Sequence, residues 1–135
     1  MAEGAVPPKL ALPPIARCKH AAGNCILVIT KHSLPLPIHV GGPLSEETSE
    51  FWVLYGHLSW DSIAHWEKGD TFDAGTVLAT LGDEHENGGW PPHVHVQLSV
   101  EEPVGGDLPG VVSSEDRMGA LAKFPDPRLI CGPLY

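Results

Sequence analysis

Two histidines that flank one valine are the residues of this chain best suited to chemistry. His93 and His95 alternate with the apolar residues Val94 and Val96. Because successive side chains of a β-strand point to opposite faces, the pattern predicts a strand with both imidazoles on one face. Two imidazoles there need partners, a metal ion or solvent, since burying an unpaired imidazole is costly. The spacing alone fits a metal-ligand pair and two ordinary surface histidines equally well.

A third histidine lies on another segment that alternates in the same way. In residues 51–58, His57 shares one predicted face with the other odd-numbered residues, while Trp52, Leu54 and Leu58 share the opposite face. Each of the three histidines therefore stands opposite apolar neighbours. We expect His57, His93 and His95 to converge on one polar groove.

The elements that must position these histidines are predicted to be short strands. The chain has 15 Gly and 14 Pro in 135 residues, and both residue types disfavour long helices. We predict one domain over residues 1–135 with a mostly β, antiparallel fold and few or no helices. Strands are predicted over residues 25–30, 51–58, 77–81 and 93–98, the first of them buried on both faces. An irregular arm is predicted over residues 1–17, a solvated loop over 33–50, a short helical turn over 61–67 and one modest helix candidate over 118–123.

The net charge of the chain indicates which classes of partner it is unsuited to bind. A formal net charge of −9 disfavours nucleic acids and anionic membranes, because affinity for polyanions comes mainly from Lys and Arg. We find neither a signal peptide nor an apolar run long enough for a transmembrane helix. The sequence therefore predicts a cytoplasmic protein that binds neither nucleic acid nor membrane.

Three cysteines, Cys18, Cys25 and Cys131, form no C-x-x-C pair. We interpret them as reduced, buried thiols without a catalytic or metal-binding role. Cys18 and Cys25 could face each other across a hairpin, which leaves a disulfide open.

Three motifs in register give a family resemblance. They read LYGHLS at 54–59, GTVLATLG at 75–82 and GGWPPHVHVQL at 88–98. In order and spacing they resemble the lysostaphin or LytM type of zinc metallopeptidase, which cleaves peptidoglycan peptides. The strong resemblance covers residues 51–98. It implies an antiparallel β fold of the duplicated hybrid-motif type, with one zinc ion in a groove and a peptide or peptidoglycan-like substrate.

The resemblance also implies roles for the three histidines. His95 matches the zinc ligand of the family's H-x-H motif. His93 and His57 match the residues that flank the metal-bound water, as candidates for the general base and for stabilising the oxyanion. Zinc in such a site lowers the pKa of its water to about 7 and polarises the peptide carbonyl.

The family's other zinc motif, an H-x-x-x-D that lies upstream of these three motifs, is absent. His20, His32 and His39 are followed four residues later by Asn24, Leu36 and Pro43. The segment AEGAVP at 2–7 resembles the stretch that comes shortly after this motif in the family. With two of three protein ligands missing, we predict an inactive, pseudoenzyme-like peptidase domain that binds zinc weakly or not at all. The first candidates to replace the missing ligands are His20, His32, His39 and Asp83.

Two other classes compete with the peptidase interpretation. Cupins also present His-x-His on a β-barrel strand, but here Glu101 is too far beyond His95 for their motif. A non-catalytic interaction or carrier domain would explain residues 69–82, which resemble a biotinyl-type hairpin without its lysine. Residues 83–86 could form a second metal site, although a solvated loop is the simpler interpretation. The tryptophans could line a groove, but core and rim packing is their commoner role.

Overall fold

The computed structural model describes residues 10–11, 16–20 and 23–133, and side chains for residues 26–133. This part of the chain forms six strands and three short helices. The strands are β1 (Leu10–Ala11), β2 (Ala16–His20), β3 (Gly23–Pro37), β4 (Leu44–Gly56), β5 (Thr71–Phe72) and β6 (His95–Ser99). The helices are α1 (Trp60–Ile63), α2 (Arg117–Lys123) and α3 (Arg128–Cys131).

The strands form one antiparallel sheet in the order β5-β1-β3-β4-β6, and β2 also pairs with β3. The mostly β, antiparallel fold predicted from the sequence is confirmed, as are few and short helices. The irregular arm predicted over residues 1–17 falls largely outside the described residues, and its described parts are extended. The hybrid-motif duplication stays a prediction.

A long hairpin of β3 and β4 is the centre of the sheet. Its register runs from Val28 opposite Tyr55 to Pro37 opposite Leu44, with an irregularity between Pro35 and Pro37. The prediction of a loop over residues 33–50 is therefore wrong, because most of that segment is paired strand. Its prolines are accommodated at the irregularity, where the backbone ladder is already interrupted. The turn itself is short and is closed by a hydrogen bond from Gly42 N–H to the His39 carbonyl, 2.8 Å.

The inner half of the hairpin is buried on both faces, as the apolar run over 25–30 predicts: residues 26–30 are all buried. On one face of β4, Phe51 and Val53 pack with Leu98 of β6. On the other face, Trp52 and Leu54 pack with residues of β3 and with Leu108. Burying each aliphatic or aromatic side chain contributes about 1.5–3 kcal/mol, so these two layers hold β3, β4 and β6 together.

Several boundaries differ from the sequence prediction. Residues 77–80 form no strand, and Leu81 makes only an isolated bridge to Leu58. β6 begins at His95 rather than His93, and Val94 is 46% exposed instead of belonging to the core. The strand over 77–81 was predicted from a short, mostly apolar run between turn signals, and in the described residues this run pairs with no strand apart from the single bridge at Leu81.

The helices lie close to their predicted places. α1 falls within the turn predicted over 61–67 apart from its first residue, and α2 matches the one predicted over 118–123. α3 was not predicted; it ends at Cys131, a free and exposed cysteine, so the expected burial of this thiol is wrong. Cys18 and Cys25 are register partners across the β2–β3 hairpin, as expected, and their side chains lie outside the described residues. None of the described helices is long and apolar enough to span a membrane.

Candidate functional site

The three predicted histidines meet at one end of the β4–β6 pair. Gly56 of β4 lies opposite His95 of β6, and His57 and His93 lie one and two residues beyond this pair on their own chains. The ring centroids of His57 and His93 are 4.4 Å apart, and those of His57 and His95 are 6.2 Å apart. The predicted convergence of the three imidazoles is confirmed. We call these three residues the histidine cluster.

His57 occupies its place through an unusual backbone conformation. Its φ of 63° lies in the left-handed region and is the one positive value for a non-glycine residue in the described chain. This conformation costs a non-glycine residue roughly 1–2 kcal/mol. It also interrupts the strand alternation, so Leu58 packs with Ile26 and Val28 instead of sharing a face with Trp52 and Leu54 as predicted.

The backbone around His57 is fixed by a close approach of Gly82. The Gly82 N–H donates to the His57 carbonyl at 2.8 Å, and the Leu58 N–H donates to the Ile26 carbonyl at 3.0 Å. A Cβ added to Gly82 would lie 2.9 Å from the Leu58 carbonyl oxygen and 3.1 Å from that of His57. Only glycine allows this contact without a backbone shift, so Gly82 sets the position of His57.

A buried asparagine organises the loop that leads to His93. The Asn87 amide donates to the carbonyls of Gly82, Trp90 and Pro91 at 3.3, 2.7 and 3.4 Å, and its Oδ1 accepts from Trp90 N–H at 2.9 Å. Asn87 is almost fully buried, so these bonds satisfy its amide inside the protein. Through these bonds, the Asn87 side chain connects Gly82, which contacts the His57 backbone, to the segment before His93. Its position after a charged run and before two glycines gave no signal of this role in the sequence.

Hydrogen bonds define which ring nitrogens the cluster presents. The Nδ1 of His93 lies 2.7 Å from the Pro91 carbonyl. A carbonyl only accepts, so Nδ1 carries the proton and the neutral ring presents Nε2. The Gln97 amide donates to Pro109 O at 2.9 Å, which turns its Oε1 towards His95 Nε2 at 3.4 Å. His95 then presents Nδ1.

These donors do not complete a zinc site. Among the described side chains, no group of three or more His, Cys, Asp and Glu residues is arranged to hold one metal ion. A zinc site normally has three or four protein ligands at about 2.0–2.3 Å. The histidine cluster provides imidazoles without the acidic ligand that the family resemblance requires, so the side chains that the structure describes do not complete a stable zinc centre.

The residues predicted as replacement ligands lie elsewhere or outside the description. His32 is opposite Phe51, five residues along β4 from Gly56, or roughly 17 Å from the cluster at 3.3 Å per residue. It bonds Thr30 Oγ1 at 2.6 Å and stacks on Phe51 at 4.9 Å. Burial lowers the pKa of His32 to about 4, which keeps its imidazole neutral. His32 is therefore a core residue, and its proposed role as a ligand is wrong.

His39 and Asp83 are also poor substitutes. His39 is in the β3–β4 turn, at the opposite end of β4 from the cluster, and bonds Val40 O. The Asp83 carboxylate accepts from His85 N–H at 2.9 Å in an exposed loop. Residues 83–85 are exposed, as the solvated-loop interpretation predicts, whereas Glu86 is half-buried and its carboxylate accepts from Trp60 N–H at 3.0 Å. The side chain of His20 lies outside the described residues.

An apolar cavity of about 360 Å³ lies beside the cluster. Its walls include Tyr55, Leu58 and Val94, each within two residues of a cluster histidine, together with Leu78 and Ala79. Tyr55, Leu78 and Val94 thus meet around this cavity, and Tyr55 also packs on the buried side chains of Val28 and Leu58. Burial raises the pKa of the Tyr55 hydroxyl, so it is a neutral polar group at this wall.

The four tryptophans divide between core and surface. Trp52 is buried, and Trp60 and Trp66 pack around Leu58 and Ile63, as their commoner role predicts. Trp90 is 62% exposed and is held through both of its backbone groups by Asn87. The backbone of Trp90 is therefore fixed three residues before His93, and its ring is an exposed aromatic surface.

Comparison with known protein families, curated proteins and solved structures finds no match for this chain. The lysostaphin-type resemblance thus depends on the three motifs and the placement of their histidines.

Proposed function

We propose that this chain is a lysostaphin-type peptidase-like domain that binds peptide at the histidine cluster without cleaving it. The observation that carries the proposal is the meeting of His57 with His93 at 4.4 Å and with His95 at 6.2 Å. These residues come from two motifs that are 36 residues apart in the sequence, and the resemblance implies that they share one site.

The strained backbone of His57 supports a functional role for the cluster. Left-handed non-glycine residues persist where the surrounding structure enforces them, and they concentrate at binding and catalytic sites. Here Gly82 and the loop held by Asn87 enforce the conformation. A glycine at position 57 would fold without this strain, so the imidazole provides something that a structural turn does not need.

The donor set favours binding over catalysis. Peptide hydrolysis of the family's type requires an ion that polarises the carbonyl and activates water. His95 and His93 supply two lone pairs, at Nδ1 and Nε2, and no described carboxylate or thiol completes a group of three. Two neutral imidazoles hold zinc weakly, because both coordination and charge balance are incomplete.

Peptide contacts are available next to the cluster. The lone-pair nitrogens can accept from peptide N–H groups, and the exposed ring of Trp90 offers an apolar surface. The cavity beside Tyr55, Leu58 and Val94 accommodates a small apolar side chain. A peptide with small apolar residues is therefore the ligand class that fits this site.

A binding and cleavage assay tests the proposal. Zinc content is measured after dialysis against a mild chelator, and a fluorescent alanine- and glycine-rich peptide is followed for binding and for cleavage. We expect little zinc, measurable peptide binding and no cleavage. His57→Ala and His95→Ala should weaken binding at least fivefold, while His85→Ala, an exposed histidine in the neighbouring loop, should leave it unchanged. Cleavage by the wild type, or binding that ignores His57 and His95, contradicts the proposal.

The other expectations from the sequence stay predictions. These are the absence of nucleic-acid and membrane partners and a cytoplasmic location. The cupin and carrier interpretations gain no supporting observation. A cupin is a closed β-barrel, whereas the described strands form an open order from β5 to β6. A carrier hairpin needs paired strands over residues 69–82, and this segment contains only the two-residue strand β5.

A further inference from the structure

We propose that a second cleft, on the α2 side of β6, binds the C-terminal end of a peptide by its carboxylate and an apolar side chain. This cleft has a volume of about 510 Å³, within the range of small-ligand pockets. It is separate from the histidine cluster, although Gln97 belongs to its wall and also faces His95. The inference does not depend on the peptidase-like function.

The walls of this second cleft are mostly apolar and exposed. They include Val111, Val112, Leu121 and Phe124. Val111 is 91% exposed, and α2 has no buried residue. Exposed apolar side chains that surround a concave surface mark binding sites more often than chance packing does. An apolar ligand side chain would therefore gain burial here.

One positive charge lines the same cleft. Arg117 is among its wall residues, and among the described residues it makes no ion pair, whereas Lys31, Lys123 and Arg128 each have an acidic partner. Ser114 is three residues earlier and also lines the cleft. In a chain with a net charge of −9, a guanidinium and a hydroxyl in the wall of one cleft are a suitable receptor for a carboxylate.

The backbone of the cleft favours a peptide over another carboxylic acid. Gly110, Val111 and Val112 make no backbone hydrogen bond with the described residues. Their N–H and C=O groups can pair with a peptide main chain. A simple aliphatic acid would meet the apolar wall and Arg117 but would leave these groups unused.

Three probes of matched size test the proposal: the dipeptide N-acetyl-valyl-leucine, its C-terminal amide, and octanoate. Binding is followed by NMR shifts of residues 109–124 in the whole chain. We expect the free dipeptide to bind at least tenfold more tightly than the amide and more tightly than octanoate. Arg117→Gln should remove the difference between the free dipeptide and the amide.

Matched variants separate charge from folding. Lys123→Gln removes the same charge from the same helix but outside the cleft wall, and it should keep the preference for the free dipeptide. Val111→Asp should abolish binding without unfolding the chain, because this side chain is exposed. His95→Ala should leave dipeptide binding within twofold, which distinguishes this site from the histidine cluster. Equal binding of the dipeptide and its amide, tighter binding of octanoate, or no effect of Arg117→Gln overturns the proposal.

Discussion

The β3–β4 hairpin and the loop from Gly82 to His93 fix their side chains in different ways. In the hairpin, a ladder that is regular from Val28 to Pro35 and two buried apolar layers hold each residue through many neighbours. In the loop, a few specific contacts determine the geometry, chiefly the close approach of Gly82 to the His57 backbone and the bonds of Asn87. The hairpin provides stability, and the loop provides the placement of the histidine cluster. Substitutions in the hairpin should therefore change mainly the free energy of unfolding, and substitutions in the loop should change mainly the position of the histidine cluster.

The largest effect on stability is expected in the sheet. Leu98→Ala removes a side chain with 0% exposure that packs on Phe51 and Val53, and it should lower the free energy of unfolding by about 2–5 kcal/mol. Val111→Ala, at an exposed position, should change it by less than about 0.5 kcal/mol. Urea denaturation measures both. A loss below about 1 kcal/mol for Leu98→Ala would show that this layer is not the stabilising core.

Gly82→Ala is expected to disturb both stability and site. Its Cβ would meet backbone oxygens at 2.9 and 3.1 Å, so the variant should lose about 1–3 kcal/mol and shift the imidazole resonances of His57 and His93. Gly119→Ala is the control: its Cβ meets nothing within 4 Å in α2, and it should gain about 0.5–1 kcal/mol. If Gly82→Ala leaves the His57 resonances unchanged, the loop does not position this residue.

Acid should destabilise the hairpin through His32. Its pKa is lowered by burial to about 4 in the fold, so the unfolded chain, with the ordinary value near 6.5, binds a proton first. Stability is complete above about pH 6.5 and is lost as the pH falls towards 4. Between pH 7 and 4.5 the wild type should lose about 2 kcal/mol more than His32→Gln. The control variant His85→Gln, at an exposed position, should lose as much stability with falling pH as the wild type. An equally large loss in His32→Gln would show that protonation of His32 is not the cause.

A smaller effect is expected from the backbone strain at His57. Glycine adopts a φ of 63° without a Cβ penalty, whereas alanine does not. His57→Gly should therefore be more stable than His57→Ala by about 1 kcal/mol, measured by urea denaturation. Both variants lose the imidazole, so the comparison isolates the backbone. A more stable alanine variant would show that position 57 is not held in the left-handed region.

The sequence predicted the sheet where alternation or apolar runs were strong. Residues 26–30 and 51–54 are buried as their patterns indicate, and the three histidines meet because their strand ends are neighbours. The outer hairpin was missed because Pro35, Pro37 and acidic residues are typical of loops. The strand over 77–81 was overpredicted because β-propensity does not show whether a partner strand is available.

The details of the site depend on contacts that no local pattern encodes. The left-handed backbone of His57 follows from Gly82, which is 25 residues later in the chain. Asn87 acts through carbonyls brought together only by the folded loop. The cleft beside Arg117 arises between β6, residues 109–114 and α2, and its residues carry no shared motif.

A zinc titration followed by NMR of all described histidine side chains tests the central claim most directly. The account predicts that the resonances of His57, His93 and His95 shift together, in fast exchange and at zinc concentrations above about 10 µM, because two or three neutral ligands bind the ion only weakly. His32, His39 and His85 should not respond. Stoichiometric zinc in slow exchange that survives dialysis against a mild chelator, or shifts centred on His39 or His85, would contradict the account.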